Sequence, residues 1–326
     1  MRPDGNLFRG GAELMIERTK AELEKLGCKV EILTPHTRAL GDIVHFFGCY
    51  DSHWSTASIA LGKGKRYVCS PIFSTGRSAT QTRLRAYRHR LARRFPRSQY
   101  ELLKNASRLV VQTNREKNRV SGYFGIRANH FEIIPHGVDE RFATGDPLLF
   151  RTRYGITAKY VLSTGAFTSG KNRLNLIRAM NGTGVSLVIA GNVVDQENYL
   201  RCKQEADGNV RLVEGIPHES DLLPSAYAAA DAFSLPSYYE TFCLSAMEAE
   251  VAGCSLVLGD RWGGDEIYGL HAEYVNPDDV GGIRRATLVA FERGKQDCTQ
   301  AQHFLNQYRW DVVTRRLAQV YERVLA

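Results

Sequence analysis

The chain has 326 residues, 43% of them apolar and 24% charged, which supplies the cores of roughly two domains and excludes a disordered or fibrous protein. No apolar run approaches the ~18 residues of a membrane-spanning helix. The N-terminus lacks the apolar stretch of a signal peptide, so we expect a cytoplasmic protein. The basic excess lies in the first half, where residues 1–150 contain 25 Lys and Arg against 14 Asp and Glu, while residues 151–326 contain 18 against 21.

Helical and strand patterns alternate in the first half, which begins on a helix where a Rossmann-like half would begin on a strand. The patterns predict an N-terminal domain over residues 1–143 with its first strand missing. Predicted strands cover residues 29–33, 42–47, 66–69, 109–112 and 131–134. Predicted helices cover residues 12–26 and 83–95, and two more begin with the capping pairs Ser98 with Glu101 and Thr113 with Glu116.

The second half repeats the alternation after a polar segment at residues 142–153, which we interpret as a linker. A C-terminal domain is therefore predicted over residues 144–326, including the amphipathic helix 310–325. Predicted strands cover residues 160–163, 186–190, 232–235 and 255–258, and predicted helices cover residues 174–180 and 241–252. Two such α/β halves would bind ligands at the carboxyl ends of their parallel strands.

The seven cysteines are scattered, with no paired spacing and no histidine at ligand spacing. They are typical of buried, reduced residues. The nine histidines form no metal-binding pattern either, so the sequence predicts neither a metal site nor a disulfide framework.

Two carboxylates eight residues apart, Glu240 and Glu248, follow a strand and run into a helix. Eight residues are just over two helical turns, so both would face one side. The backbone amides around residues 242–244 would offer an anion site at the helix N-terminus. Hydroxyl-binding carboxylates beside a diphosphate-binding helix end outline a nucleotide-sugar site, although the spacing alone better fits two structural glutamates.

This stretch resembles the E-x7-E motif of the family 4 retaining glycosyltransferases, and further matches follow in the family's order across nearly the whole chain. They are Gly10-Gly11-Ala12-Glu13, Asp42-Ile43-Val44-His45, Ile134-Pro135-His136-Gly137-Val138-Asp139, Gly170-Lys171-Asn172 and the segment from Arg261 to Glu266 with Gly263 and Gly264. The resemblance implies the GT-B fold, an α/β architecture of two facing Rossmann-like domains with an interdomain cleft.

The resemblance also implies roles for matching residues. Lys171 would be the cation on the donor diphosphate, Glu248 the ribose ligand and Glu240 the contact to the transferred sugar, so Glu240 and Lys171 are the implied catalytic pair. The implied donor-binding residues are Gly10, Gly11, Lys171, Glu240, Thr241, Phe242, Cys243, Leu244 and Glu248.

The chain departs from the family at two further positions. The family usually has an arginine directly after Gly165, where this chain has Ala166, so one phosphate-neutralising cation is absent. The family's histidine after the third strand is replaced by Ser70, which leaves His45 and His53 as nearby acceptor-side candidates, although histidines at strand ends are more often structural.

The same loop nearly satisfies the P-loop pattern, with Gly165, Gly170 and Lys171 at the required spacing. Position 172, however, is Asn where a hydroxyl must hold Mg²⁺, so a nucleoside triphosphatase ranks well below the transferase.

Eight arginines and no acidic residue lie between Arg77 and Arg97. Within this block Leu84, Tyr87, Leu91 and Phe95 form one apolar stripe. A packed helix with a solvated basic face, an anionic membrane surface and a nucleic-acid backbone are all compatible with the pattern, the last least so because stacking aromatics are scarce. The acceptor-side or membrane-side candidates are Arg83, Arg88, Arg90, Arg94, His45 and Ser70.

We therefore expect a cytoplasmic transferase, peripheral to the membrane if the basic helix docks there, that moves a sugar with retention from a UDP-, GDP- or ADP-linked donor to a glycan or lipid-linked acceptor, without a metal or other cofactor. The alternatives are a degenerate GT-B protein that binds a nucleotide or glycan without turnover, and a transferase that modifies nucleic acid.

Overall fold

The computed structural model describes residues 10–34, 36–74, 79–92 and 94–326, apart from the side chains of Ala79 and Arg90. The chain divides into two compact units, Met1–Gly137 with Trp310–Ala326, and Val138–Arg309. The terminal helix therefore belongs to the first unit, whereas the sequence pattern placed it in the C-terminal domain. None of the described helices is both long and apolar enough to cross a bilayer.

The first unit contains a parallel four-stranded sheet in the order β1-β2-β3-β4. Its strands are β1 (Ile43–Phe47), β2 (Arg66–Ser70), β3 (Arg108–Val111) and β4 (Phe131–Ile133). Its helices are α1 (Gly11–Lys25), α2 (Asp51–Gly62), α3 (Ala79–Leu91), α4 (Arg97–Asn105), α5 (Asn114–Phe124) and the terminal α14 (Trp310–Leu325).

Helix α14 covers one face of this sheet. Its residues Val313, Leu317, Val320 and Val324 are buried against Val68, Val110 and Ile134, which supplies the apolar contact that the sequence periodicity of residues 310–325 requires. Gly137 lies against the same helix, because a Cβ atom at this position would approach the Trp310 side chain to 2.4 Å. Only glycine therefore fits in this turn without a steric clash.

Several local predictions in the first unit fail. No strand forms at residues 29–33, where Ile32 and Leu33 are exposed. Helix α3 ends at Leu91 rather than next to Pro96, and Ser98 lies inside α4, whose N-cap is Pro96. The Thr113 cap is confirmed, because its hydroxyl accepts the Glu116 amide. The expected absence of a first strand concerns the N-terminus, where residues 1–9 lie outside the described part.

The second unit contains a parallel six-stranded sheet in the order β10-β9-β8-β5-β6-β7. Its strands are β5 (Tyr160–Thr164), β6 (Ser186–Gly191), β7 (Val210–Glu214), β8 (Ala232–Leu235), β9 (Ser255–Gly259) and β10 (Ala272–Val275). Its helices are α6 (Pro147–Tyr154), α7 (Arg173–Met180), α8 (Gln196–Glu205), α9 (Leu222–Ala229), α10 (Leu244–Val251), α11 (Asp265–Tyr268), α12 (Val280–Arg293) and α13 (Cys298–Tyr308).

The polar segment at residues 142–153 is not a linker. It contains most of α6, and its Phe142 and Phe150 are buried in the main core cluster of the second unit. Asp146 caps α6 by accepting the Leu148 amide, and Pro147 fills the first helical position. The polar residues that indicated a linker are therefore helix-start signals.

All seven cysteines are free. The expectation that they are buried is correct for Cys69, Cys202, Cys243 and Cys254, but Cys28 and Cys298 are exposed and Cys49 is half-buried.

Candidate active site

The lysine loop and the acidic motif follow neighbouring parallel strands. Residues 165–172 leave β5 and residues 236–243 leave β8, which pairs directly with β5. Parallel neighbours end at one edge of the sheet, so the two loops meet there. Lys171 Nζ donates to Glu240 Oε1 across 2.6 Å, and the structure thus brings the two predicted catalytic residues into one ion pair.

This ion pair is well shielded, since the side chain of Lys171 is 24% exposed and that of Glu240 is 11% exposed. Burial lowers the pKa of the Lys171 ammonium, but the adjacent Glu240 carboxylate outweighs burial, so this pKa lies above its ordinary value. Lys171 is therefore cationic at neutral pH. Its ammonium has three donors, of which Glu240 takes one among the described residues.

Asn172 ties the two loops together. Its backbone is left-handed (φ +56°), a conformation that asparagine tolerates better than most residues. Its buried Nδ2 donates to the carbonyls of Pro236 (2.9 Å) and Pro277 (2.7 Å). The residue that argued against a P-loop thus holds Lys171 beside the acidic motif, a role that spacing along the sequence does not reveal.

A second link between the loops is Gly170. Its carbonyl accepts the Tyr238 amide at 2.9 Å, and a Cβ atom on Gly170 would lie 2.8 Å from the Tyr239 ring. The lysine loop therefore needs glycine here because the motif loop packs directly against its backbone.

Helix α10 begins at Leu244, three residues later than predicted. Cys243 is its N-cap in a left-handed conformation (φ +63°), and no side chain caps the helix start. Glu240 and Thr241 therefore lie in the preceding loop, and the expectation that Glu240 and Glu248 share one helical face is wrong. The uncapped N-terminus directly after Glu240 has the amides and dipole that favour an anion.

The two residues at this helix start are packed inside the unit. Phe242 is buried, and burial raises the pKa of the Cys243 thiol to about 12. The thiol is thus protonated and unreactive at neutral pH. What Cys243 can offer an anion is its backbone.

Glu248 is buried in α10 and accepts two hydrogen bonds. Tyr227 Oη donates to Oε2 at 2.6 Å, and His218 Nε2 lies 2.9 Å from Oε1. Tyr227 also bonds the Thr164 hydroxyl at 2.5 Å, where β5 ends and the lysine loop begins. Glu248 is therefore connected to the same strand end as Lys171, through partners that the sequence analysis did not identify.

The hydrogen-bonding role of His218 follows from its other neighbour. Arg141 Nη2 lies 3.2 Å from His218 Nδ1, and a guanidinium can only donate. Nδ1 must therefore accept, and Nε2 carries the proton that is donated to Glu248. Arg141 also donates to the His218 carbonyl, so the 3-10 helix Glu140–Ala143 fixes the imidazole.

The structure also places the fully buried Arg173 beside Gly165. The motif comparison did not identify this cation. No pattern marks it, because it is an ordinary first residue of α7.

Gly10 and Gly11 lie in the first unit at the start of α1. Gly10 is the N-cap, and its amide donates to the Glu13 carboxylate at 3.0 Å. The local structure is thus a capped helix start.

His45, in the middle of β1, lies close to Ser70, the last residue of the adjacent strand β2. His45 Nε2 lies 2.9 Å from Ser70 Oγ, and its Nδ1 lies 2.6 Å from Tyr321 Oη on α14. Burial lowers the pKa of His45 to about 3, so the ring is neutral at physiological pH. His53 instead contacts the Gly48 carbonyl at 3.0 Å, and burial lowers its pKa also.

The arginine-rich helix α3 packs through small residues. Thr82 and Ala86 are buried, whereas Leu84, Tyr87 and Leu91 are 58%, 61% and 68% exposed. Phe95 leaves this stripe and joins the core aromatics. Arg83, Arg88 and Arg94 are exposed, and the side chain of Arg90 lies outside the described part.

Two family profiles match consecutive parts of the chain. "Glycosyltransferase Family 4" matches residues 38–142, and "Glycosyl transferases group 1" matches residues 150–276.

Among curated proteins, the chain is similar to mannosylfructose-phosphate synthase from Agrobacterium fabrum, at 25% identity over 69% of this chain and 55% of the relative. It is equally similar to D-inositol 3-phosphate glycosyltransferase from Mycobacterium tuberculosis, at 25% identity over 69% of this chain and 50% of that one. The chain therefore spans about half the length of these relatives.

Among solved structures, sucrose-phosphate synthase from Thermosynechococcus elongatus superposes with a TM-score of 0.71 at 18% identity, covering 97% of this chain and 80% of that one. WaaG, a glycosyltransferase involved in lipopolysaccharide biosynthesis, superposes with a TM-score of 0.63 at 14% identity, covering 95% and 96%. The two profiles together match most of the chain, which therefore belongs to glycosyltransferase family 4. The likeness to the solved structures and the two parallel sheets show the GT-B fold.

Proposed function

We propose that this protein transfers a sugar from a nucleotide-sugar donor to an acceptor with retention of anomeric configuration. The observation that carries the proposal is the 2.6 Å contact between Lys171 and Glu240, which pairs a cation with a carboxylate next to the uncapped start of α10. One relative is named for transfer to D-inositol 3-phosphate, a hydroxyl-bearing small molecule, which fits the same class of reaction.

In this proposal the donor diphosphate docks at Lys171 and the amides at the start of α10. When the bond from the anomeric carbon to the diphosphate breaks, the departing oxygen takes the electron pair and negative charge develops there. The acceptor hydroxyl oxygen bonds to the anomeric carbon, and its proton passes to the departing diphosphate. A fixed ammonium and oriented amides stabilise that charge in the transition state. The lysine and the helix start supply the positive charge in this scheme, so we propose transfer without a metal or other cofactor.

The two motif carboxylates bind the ends of the donor. One carboxylate oxygen of Glu240 accepts from Lys171. The other oxygen accepts from hydroxyls of the transferred sugar. Glu248 accepts from the ribose with the lone pairs that Tyr227 and His218 leave available. The nucleotide is UDP, GDP or ADP, and the acceptor is a glycan or a lipid-linked sugar.

Donor hydrolysis tests the proposal against a protein that binds nucleotides without turnover. Nucleotide-sugars of the three bases are first screened by thermal shift, since binding to the native state raises the melting midpoint. We then expect release of free sugar from the stabilising donor, and a loss of about 100-fold in Glu240→Ala with the fold intact. Stabilisation without sugar release or transfer would instead support the non-catalytic alternative.

We also propose that the protein is cytoplasmic and binds an anionic membrane surface through α3. At 100° per residue, Leu84, Tyr87 and Leu91 lie opposite the packed residues Thr82 and Ala86. The exposed arginines Arg83 and Arg88 flank this apolar stripe. An outward apolar stripe bordered by cations matches the interface of an anionic bilayer.

Flotation with vesicles tests the membrane proposal. We expect binding to vesicles containing phosphatidylserine, and loss of binding when Leu84, Tyr87 and Leu91 are all changed to serine. Leu270→Ser is the matched control, because Leu270 is 99% exposed in the other unit. Equal flotation of the triple variant and wild type would contradict the proposal. Retention of DNA at matched salt, without vesicle binding, would also contradict it and would favour a nucleic-acid acceptor.

A further inference from the structure

The guanidinium of Arg173 is fully buried at the first turn of α7. It donates to Ser163 Oγ at 2.8 Å and to the Gly165 carbonyl at 2.7 Å, and it lies 5.4 Å from the centre of the Phe167 ring. Its Nε has no hydrogen-bond partner among the described residues. Burial lowers its pKa to about 10, which leaves it cationic at neutral pH.

Arg173 and Lys171 flank the same point. A Cβ atom built on Gly165 would lie 3.4 Å from Arg173 Nη2 and 3.9 Å from Lys171 Nζ, so the two cationic nitrogens are separated by no more than these two distances combined. Glu240 pairs with Lys171. In the described part of the chain, no carboxylate comes within 4 Å of Arg173, so a net positive charge is buried here.

An unbalanced buried charge is costly unless an ion of opposite sign binds near it. A donor diphosphate carries the negative charge that would balance it. Ala166 stands where the family usually has the arginine that follows this glycine, so the chain lacks the common second cation. Arg173 approaches the same glycine from the helix that follows the loop.

We propose that Arg173 is a positioning residue of the donor site, which replaces the family's arginine by holding the Gly165 carbonyl and adding a second positive charge behind Lys171. The inference rests on the proposed function, because it assumes that a nucleoside diphosphate binds beside Lys171. Arg173 acts from behind the loop and need not touch the ligand.

Calorimetric titration with a nucleoside diphosphate and the matching monophosphate tests this role. Arg173→Met removes the charge and roughly preserves the volume. We expect diphosphate affinity to fall ten- to hundredfold, with a much smaller change for the monophosphate. Adding Ala166→Arg to Arg173→Met should restore part of the preference for diphosphate. Arg178→Met is the control, since Arg178 lies on the same helix, paired at the surface with Glu205.

A merely structural role would change both affinities together, so an unchanged ratio of the two affinities in folded Arg173→Met overturns the inference. If that variant does not fold, Arg173→Lys decides, since it keeps the charge: we expect its ratio to stay within about threefold of wild type, and a larger loss in the folded protein contradicts the charge role. Wild-type protein that binds none of the three diphosphates refutes the proposed function and this inference with it.

Discussion

The imidazole of His218 lies 2.9 Å from the carboxylate of Glu248, with its proton on Nε2 because Arg141 occupies Nδ1 as a donor. The second motif carboxylate is therefore held by a residue 30 positions away that no motif contains. Through Tyr227, the same carboxylate is connected to the end of β5.

Replacing His218 should weaken nucleotide binding. In His218→Ala the buried Glu248 carboxylate loses one donor, and the loss of a hydrogen bond to a charged group costs about 1.5–3 kcal/mol. We expect nucleoside diphosphate affinity to fall about tenfold and the melting midpoint to fall as well, as measured by calorimetry and thermal unfolding. His218→Gln, whose amide can donate at a similar reach, should recover much of the affinity. Unchanged binding in His218→Ala would show that Glu248 does not depend on this donor.

Close backbone contact at Gly191 predicts a steric effect on the lysine loop. A Cβ atom there would approach the Gly165 carbonyl to 1.8 Å, so Gly191→Ala must displace the loop that leads to Lys171. We expect a destabilisation of more than about 2 kcal/mol and weaker diphosphate binding. Gly208→Ala is the control, because nothing lies within 4 Å of its Cβ position. A Gly191→Ala variant with the stability of the control would refute the close approach.

Buried His45 predicts a pH dependence of stability. Burial lowers its pKa to about 3 from an ordinary value of 6.5, so between these values the unfolded chain binds the extra proton. The contribution to stability is then complete above pH 6.5 and is lost as the pH falls toward 3. Urea unfolding of wild type and His45→Gln should show a steeper loss in wild type between pH 6.5 and 4.5.

The buried carboxyl of Glu116 should change the stability with pH in the direction opposite to His45, so it provides a control. Burial raises its pKa to about 7 from 4.5, although the amides of Gln112 and Phe73 lower it. The folded state binds the extra proton between these values, so this contribution is present below pH 4.5 and is lost as the pH rises through 7. Glu116→Gln should therefore remove a loss of stability toward pH 7. Parallel pH profiles for wild type and both variants would contradict both assignments.

The sequence predicted all four strands of the first sheet and four of the second, because strands buried on both faces have continuous apolar runs, as in β6 and β9. It did not predict β7 and β10, whose residues are only partly buried. The segment at residues 29–33 also has apolar residues, yet Ile32 and Leu33 remain exposed without a strand. Local pattern cannot show whether a neighbouring strand is present to pair with it.

Within the site, motif order brought Lys171 and Glu240 to one place. The helix start was misplaced because Cys243 adopts a positive φ, which residue type does not indicate. Arg173, Tyr227 and His218 were missed, and the structural role of Asn172 was not predicted. These roles arise from contacts between elements distant in sequence, or from a buried side chain at an ordinary helix start. Recognising them requires the tertiary structure.

The central claim, that a donor diphosphate docks at Lys171, is tested most directly by titrating UDP, GDP and ADP into Lys171→Met and wild type. Lys203→Met, which removes an exposed lysine from α8 of the same unit, is the matched control. We predict that wild type and the control bind the same one of the three diphosphates with equal affinity. Lys171→Met should bind it at least tenfold more weakly while remaining folded. Equal affinity of folded Lys171→Met and wild type would contradict the account.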